Sequence, residues 1–154
     1  MRLRLIAVGP RQPRWVEEAF ADYARRFPRG LRLELVTVPL GRRGKSGVAR
    51  AVAEEGAALL SAVGDRARVV ALDRRGELWD TETLAARLAQ WRQGGQDLCF
   101  LIGGPDGLAP QCLARADESW SLSPLTLPHG LARVVVVESL YRAAALLEGH
   151  PYHR

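Results

Sequence analysis

Five consecutive apolar residues, Leu98–Ile102, restrict the choice of fold more than any other segment of this chain. A strand with no polar position has to be covered on both of its faces, and this is typical of parallel sheets. The segment is followed at once by GGPDG, residues 103–107, which we call the glycine turn. The sequence therefore predicts an α/β fold, with a parallel-rich sheet covered by helices on both faces.

Strand-like and helix-like segments alternate along the rest of the chain, which supports this fold. Strands are predicted where polar and apolar residues alternate or β-branched residues cluster, and helices where apolar residues recur every three or four positions. The predicted strands cover 2–8, 31–38, 67–72, 98–102 and 120–123, and the predicted helices cover 13–27, 48–63, 81–93 and 131–147. Thr81 is expected to cap the third helix, and Arg74-Arg75-Gly76 is expected to form a turn. Without a shift in composition, the 154 residues predict one domain, 1–154.

The apolar run at 131–147 leaves two structures open at its start. Four consecutive valines, residues 134–137, also fit a buried strand, which periodicity does not exclude. The length of the run and the stop signal Gly149-His150-Pro151 favour a helix.

The charge of the chain makes an acidic partner such as nucleic acid plausible. The formal net charge is +5, and Lys45 is the only lysine among the 22 basic residues. Arginine offers a planar fork that suits phosphates and base edges. Codon bias in a GC-rich genome explains the preference for arginine equally well, so the charge does not name the partner.

Other features indicate a cytoplasmic protein without a metal site. No apolar segment reaches the roughly 18 residues of a membrane span, so no membrane partner is expected. The two cysteines, Cys99 and Cys112, have no CxxC spacing and no nearby pair of histidines. We expect both to be buried thiols rather than metal ligands or a disulfide.

Residues 41–47, GRRGKSG, form a basic loop with two open interpretations. Its spacing is two residues short of the phosphate loop GxxxxGK[ST], so a nucleoside triphosphatase is not indicated. Arg42, Arg43 and Lys45 either bind phosphates of a partner or simply lie in solvent.

Three predicted strands end in unusual sequence, and ligands of α/β sheets bind beyond such carboxyl ends. The three ends are Leu72-Asp73, Ile102 with the glycine turn, and residues 121–123. Gly103 and Gly104 have no Cβ, which permits a backbone to approach a flat ligand closely. The same Pro-Asp-Gly sequence also fits an ordinary turn.

The ligand at these ends is not predicted to be a dinucleotide. No acidic residue follows the glycines at the distance of a ribose contact, because Glu118 is too near and Glu138 too far. A leucine-rich loop with Leu122, Leu125 and Leu127 suits an adenine held by main-chain hydrogen bonds and apolar contacts. S-adenosylmethionine is the small cofactor that fits best.

Three segments together resemble a known family. LDRRGELWD at 72–80, IGGPDGL at 102–108 and WSLSPLTLPHGLARVVVVESLYRAAALLEGHPYHR at 120–154 are similar to the ribosomal RNA large-subunit methyltransferase H family of the SPOUT superfamily. The resemblance covers essentially the whole chain. It implies a SPOUT-type α/β fold with a C-terminal trefoil knot, a homodimer paired through the knotted region, and S-adenosylmethionine as cofactor. The implied activity is methylation of N3 of a pseudouridine in 23S rRNA, on assembled ribosomes.

The same resemblance implies a set of cofactor-binding residues. The segment 123–128, which we call the proline loop, contributes most of them. The implied set is Leu72, Gly103, Gly104, Ser123, Pro124, Leu125, Thr126, Leu127 and Pro128. The helix 131–147 is implied to supply much of the dimer contact. Gly130 departs from the family pattern, and a residue with a side chain would make this junction stiffer.

The chain ends in Tyr152-His153-Arg154, which leads to a hypothesis for catalysis. N3 of pseudouridine is an imide nitrogen that carries a proton at neutral pH, so a base has to assist. We assign this role to His153, and stabilisation of the developing oxyanion to Arg154 or Arg142. Tyr152 is expected to stack on the base.

Several alternatives stay open from the residues alone. The last residues of a chain are often frayed, although Pro151 stiffens this tail. Glu138 is expected to pair with Arg142 at i,i+4, and His129 and His150 are expected in loops. The rival classes are a cofactor-binding module without catalysis and a non-enzymatic RNA-binding ribosome factor.

Overall fold

The structure, a computed structural model, describes residues 1–9 and 11–153, except for the side chain of His153. The strands are β1 (Arg2–Val8), β2 (Arg32–Val38), β3 (Arg68–Leu78), β4 (Leu98–Ile102) and β5 (Glu118–Ser121). The helices are α1 (Arg14–Arg25), α2 (Gly47–Val63), α3 (Thr81–Gly94), α4 (Pro110–Arg115) and α5 (His129–Leu147), and a 3-10 turn, Pro151–His153, follows α5.

Within the described residues the five strands form one parallel sheet in the order β2-β1-β4-β3-β5. β4 lies at the centre, where Leu98 pairs with Leu3 and Phe100 pairs with Leu5 of β1. All of its residues are buried. The apolar segment therefore forms the doubly covered strand that the sequence predicts, because its side chains enter the cores on both faces.

Helices cover both faces of the sheet, as predicted. Leu5 and Phe100 share one core with side chains of α1, α3 and α5, whereas Ile6 and Leu101 share the other with side chains of α2 and α4. Successive residues of a strand point to opposite faces, so neighbours in β1 and β4 enter different cores. The α/β fold is thus confirmed, and the trefoil knot stays a prediction.

Both cysteines are buried thiols, as expected. Cys99 and Cys112 lie in the core beneath α2 and α4. Burial raises the pKa of both thiols. The neutral SH form is therefore favoured, and these residues act as small apolar core side chains.

The end of the chain forms one long helix, so the alternative of a valine strand is wrong. Val136, Val137 and Leu140 of α5 are fully buried, in the core that α5 shares with α1 and α3. His129 belongs to the first turn of α5 and not to a loop, which corrects the prediction. Periodicity could not decide here, because α5 is apolar around most of its circumference.

The predicted junction at Gly130 is also different in the structure. Gly130 is buried, and a Cβ built on it would lie 2.8 Å from Gln12 Oε1 and 3.1 Å from Val16 Cγ2. The missing side chain therefore permits α5 to pack closely against the start of α1. Gly130 is needed for packing here and is not a loose joint.

Three local predictions fail for identifiable reasons. α3 is capped by Asp80 and not by Thr81, because the Asp80 side chain accepts a hydrogen bond of 2.7 Å from the Thr83 amide. β3 continues through the predicted turn at 74–76 to Leu78, with a register shift in which Leu72 and Glu77 both pair with Trp120. The short α4 was not predicted, since six residues are too few to show helical periodicity.

Two large apolar residues lie at the surface. Leu35 is 37 % exposed and Trp15 is 57 % exposed. β2 is an edge strand, so its second half has fewer neighbours to cover it. Among the described residues, we find no helix that is long and apolar enough to cross a membrane.

Candidate ligand-binding cleft

A cleft of about 640 Å³ lies at the carboxyl edge of the sheet, where β3, β4 and β5 are neighbours. This volume is within the usual range of sites for small molecules, roughly 300–1,000 Å³. The strand ends singled out in the sequence therefore meet at one place. The cleft is lined by Leu72, Asp73 and Arg74, by residues 102–108, and by Trp120, Leu122, Ser123, residues 125–129 and Ala132.

The structure brings most of the predicted cofactor residues to this cleft. Pro124 is the exception, since it is exposed and lies outside the lining. The predicted residues that line the cleft are Leu72, Gly103, Gly104, Ser123, Leu125, Thr126, Leu127 and Pro128.

The glycine turn owes its shape to contacts within the protein. A Cβ on Gly103 would lie 2.4 Å from the carbonyl carbon of Gly107, and one on Gly104 would lie 2.7 Å from Glu55 Oε2. The turn is closed by the Gly107 amide, which donates to the Gly104 carbonyl at 3.0 Å. From the sequence alone, these glycines were expected to permit the close approach of a ligand. Here the protein's own backbone and Glu55 occupy the space that a side chain needs.

The proline loop is held in place by short-range hydrogen bonds. The Ser123 hydroxyl accepts from the Leu125 amide at 2.9 Å, and the Ser121 hydroxyl donates to the Ser123 carbonyl at 3.1 Å. Arg74, across the cleft, donates to the Thr126 hydroxyl at 3.2 Å. These bonds and the fixed φ of the prolines preform the loop, so a ligand does not have to order it.

One residue of the cleft lining, His129, is paired with a buried arginine, and neither residue was given a role from the sequence. Arg133, only 3 % exposed, donates from Nε to His129 Nε2 at 3.1 Å. It also points Nη2 at the carbonyl oxygens of Val8 and Gly9, at 3.5 and 3.4 Å. The i,i+4 spacing of His129 and Arg133 was the only signal in the sequence.

The environment keeps His129 neutral. Burial lowers the pKa of His129, the charge of Arg133 lowers it further, and a hydrogen bond with the Gly103 backbone partly offsets both. Because Nε2 accepts a hydrogen bond, the proton of the neutral ring is on Nδ1. His129 therefore connects α5 to the glycine turn without adding charge to the cleft.

Two of the proposed catalytic residues, Arg142 and Tyr152, lie toward the other end of α5. The ring of Tyr152 packs 4.6 Å from that of Tyr141, and its hydroxyl donates to Glu138 Oε1 at 3.4 Å. Arg142 donates to the same oxygen at 2.9 Å from Nε and 2.6 Å from Nη2, which confirms the expected pair of Glu138 and Arg142. Tyr152 is therefore packed and not frayed.

Arg142 and Tyr152 lie away from the cleft of their own chain. Neither Arg142 nor Tyr152 belongs to the cleft lining, and Arg142 lies about 20 Å along α5 from His129 at 1.5 Å per residue. Burial, Tyr23 and Glu138 raise the pKa of Tyr152, so its hydroxyl keeps its proton. The side chain of His153 and all of Arg154 lie outside the described residues.

One arginine of the basic loop, Arg43, forms hydrogen bonds within the protein. Arg43 donates to Glu55 at 2.8 Å and to Asp106 of the glycine turn at 2.9 Å, whereas Arg42 and Lys45 are exposed. Neither interpretation of the loop therefore describes Arg43, and both stay open for Arg42 and Lys45. In the described part of the chain, no three His, Cys, Asp or Glu residues cluster in a way that suits a metal ion.

Comparison with known proteins agrees with this geometry. A family model described as predicted SPOUT methyltransferase matches residues 1–153. Two relatives carry the name ribosomal RNA large subunit methyltransferase H. The relative from Alkalilimnicola ehrlichii is 58 % identical over 155 residues, which cover 100 % of this chain and 99 % of that protein. The relative from Pseudomonas fluorescens is 55 % identical and covers 100 % of both chains.

Solved structures with low sequence identity share the fold. A probable methyltransferase from Bordetella pertussis has a TM-score of 0.57 at 20 % identity, covering 93 % of this chain and 94 % of that one. A probable methylase family protein from Haemophilus influenzae has a TM-score of 0.60 at 16 % identity, covering 99 % of this chain and 70 % of that one.

Proposed function

We infer, since this chain belongs to the SPOUT methyltransferase family, that it transfers a methyl group from S-adenosylmethionine to 23S ribosomal RNA. The observation that carries this inference is the cleft at the carboxyl edge, in a chain similar over its full length to ribosomal RNA large subunit methyltransferase H. We propose that the target is N3 of a pseudouridine on assembled ribosomes in the cytoplasm.

The cleft suits S-adenosylmethionine, which supplies a methyl group activated by a positively charged sulfur. Leu72, Ile102 and Leu127 offer apolar walls for an adenine. The glycine turn and the proline loop offer main-chain donors and acceptors beside these walls. Both segments are fixed before a ligand arrives, so little conformational entropy is lost on binding.

The acceptor nitrogen has to lose a proton, and the tail carries the residues that we assign to this step. His153 is the proposed base, because an unperturbed imidazole with a pKa of about 6.5 accepts a proton near neutral pH. Arg154 or Arg142 is proposed to stabilise the charge on a uracil carbonyl oxygen, and Tyr152 to stack on the base. Arg142 is already bound to Glu138, so we assign the interaction with RNA first to Arg154.

We propose that these roles are carried out in a homodimer, since Arg142 lies about 20 Å along α5 from the cleft of its own chain. A partly exposed stripe of α5, with Leu131, Val134 and Val135, leads from the cleft toward Glu138 and the tail. We propose that two chains pair along this stripe about a two-fold axis. The tail of one chain then reaches the cleft of the other.

Methyl transfer tests the activity directly. Labelled S-adenosylmethionine is incubated with ribosomes, and separately with naked ribosomal RNA, both purified from cells that lack this protein. We expect label in the ribosomes, at N3 of one pseudouridine. Absence of label from both substrates, with cofactor binding intact, would contradict the enzyme and leave a cofactor-binding module.

Mixing two inactive variants tests the shared site. Leu127→Arg places a long charged side chain in the cleft, and the second variant lacks residues 152–154. If cleft and tail come from different chains, an equal mixture forms half mixed dimers with one intact site each, and regains roughly a quarter of wild-type activity. A site built from a single chain gives no recovery, and that result would refute the pairing.

A further inference from the structure

Arg43 makes contacts that an exposed phosphate-binding residue does not need. Its Nη2 donates to Glu55 Oε1 at 2.8 Å and to Oε2 at 3.2 Å, and its Nε donates to Asp106 Oδ2 at 2.9 Å. Its Nη1 donates to the carbonyl of Gly41 at 2.9 Å. All three guanidinium nitrogens are thus occupied within the protein, and the side chain is 22 % exposed.

The burial of Glu55 makes its ion pair with Arg43 important for stability. Its side chain is only 2 % exposed, and a buried carboxylate is costly unless a cation and hydrogen bonds accompany it. Arg43 supplies both. The pKa of Arg43 is raised by its hydrogen bonds to Glu55 and Asp106, as expected for a cation held by two carboxylates.

The two carboxylates connect Arg43 to the wall of the cleft. Asp106 belongs to the glycine turn and lines the cleft. Glu55 lies against Gly104 of the same turn, whose missing Cβ would be 2.7 Å from Oε2. The turn contains three glycines, whose conformational freedom is large, so contacts from outside the turn add to its own backbone hydrogen bond in fixing its shape.

We propose that Arg43 is a positioning residue, which holds the glycine turn in its cofactor-binding shape through Glu55 and Asp106. This proposal rests on the proposed function, because it concerns binding of S-adenosylmethionine. It also ties the basic loop to the cleft, since Arg42 and Lys45 flank Arg43 and are exposed. RNA that binds Arg42 and Lys45 can then affect the cofactor site through the guanidinium of Arg43.

Calorimetric titration of S-adenosylmethionine into Arg43→Ala tests the proposal, with Arg42→Ala as the matched control. Arg43→Ala is expected to weaken cofactor binding roughly two- to 150-fold, the range of coupling between residues of one hydrogen-bond network. Arg42→Ala is expected to bind like the wild type. Equal affinity of Arg43→Ala and wild type, with a loss only in salt-dependent ribosome binding, would overturn the proposal and make Arg43 a phosphate contact.

A double-mutant cycle separates positioning from a direct contact of Asp106 with the cofactor. If Arg43 acts through Asp106, the variant with both Arg43→Ala and Asp106→Ala binds no more weakly than the worse single variant. If the losses of cofactor affinity in the two single variants add up in the double variant, Arg43 does not act through Asp106. Asp106 lies in an exposed turn, so Asp106→Ala also provides a folded test if melting shows that Arg43→Ala does not fold.

A conservative variant gives a third test. Arg43→Lys keeps the charge but loses the planar fork, so one ammonium cannot reach Glu55 and Asp106 in the same way. Its cofactor affinity is expected between those of the wild type and Arg43→Ala, and an affinity as low as that of Arg43→Ala would contradict a role for charge. A wild-type protein that does not bind S-adenosylmethionine would refute the proposed function itself, an outcome distinct from equal binding by wild type and variant.

Discussion

Replacing Gly103 with alanine is expected to force open the glycine turn and to weaken cofactor binding. A Cβ at this position would lie 2.4 Å from the carbonyl carbon of Gly107, 2.6 Å from its oxygen and 2.6 Å from the Leu108 nitrogen. These neighbours are backbone atoms on the opposite side of the turn, so no side chain can rotate away. The two sides of the turn have to separate.

The size of the effect follows from this overlap. Overpacking of a well-packed site costs about 1–3 kcal/mol. For a chain of this length each kcal/mol lowers the melting temperature by about 2–4 °C, so we expect a decrease of roughly 2–12 °C. If the native conformation of the turn lies about 1.4 kcal/mol above an opened conformation in the variant, only about one molecule in ten is competent to bind. The apparent affinity for S-adenosylmethionine then falls about tenfold.

Gly94→Ala is the matched control for this substitution. Gly94 ends α3, and a Cβ built on it meets nothing within 4 Å. Alanine there is expected to leave cofactor binding unchanged and to raise stability by up to about 1 kcal/mol. Melting followed by circular dichroism and calorimetric titration measure both effects. A Gly103→Ala protein that melts and binds like the wild type would refute the close approach.

Three further outcomes are expected. Asp80→Ala removes the cap of α3 and lowers the free energy of unfolding by about 1 kcal/mol, whereas Asp80→Asn changes it little; equal denaturant midpoints for the two variants would contradict this. Burial and Arg133 lower the pKa of His129 in the folded protein. The contribution of His129 to the free energy of unfolding is therefore complete above the unfolded-state pKa of about 6.5, and it decreases as the pH falls toward the lowered pKa. Denaturant titrations of His129→Gln should show a smaller decrease over that window than the wild type. Replacing Arg42 and Lys45 together with alanine should reduce the slope of log affinity for ribosomes against log salt concentration by roughly one per lost phosphate contact. An unchanged slope would exclude both residues from RNA contact.

Local pattern was enough to predict most of the fold. Leu98–Ile102 is the central strand because an apolar pentapeptide must be covered on both faces. The strand ends that form the cleft followed from the same reasoning, since parallel strands place their carboxyl ends at one edge. The local predictions that failed concern a short element and the choice between two neighbouring residues. α4 has six residues, and the cap of α3, Asp80, is one residue before the predicted Thr81.

The contacts that shape the cleft were not predictable in this way. Arg43 meets Asp106, 63 positions away, and Arg133 reaches the carbonyl of Gly9, 124 positions away. Residues this far apart in the sequence are brought together only by the sheet order and by helix packing. For that reason the sequence suggested Arg43 as a phosphate contact and gave no role to Arg133.

The sequence by itself determined the alternation of strands and helices, the edge of the sheet that carries the cleft, and the family. These follow from short-range patterns of burial and from runs of matching residues. Only the tertiary structure decided why positions 103 and 104 are occupied by glycine, which cation accompanies the buried Glu55, and where the ring of Tyr152 packs. Each of these depends on distances between atoms from separate elements, and a linear pattern does not contain such distances.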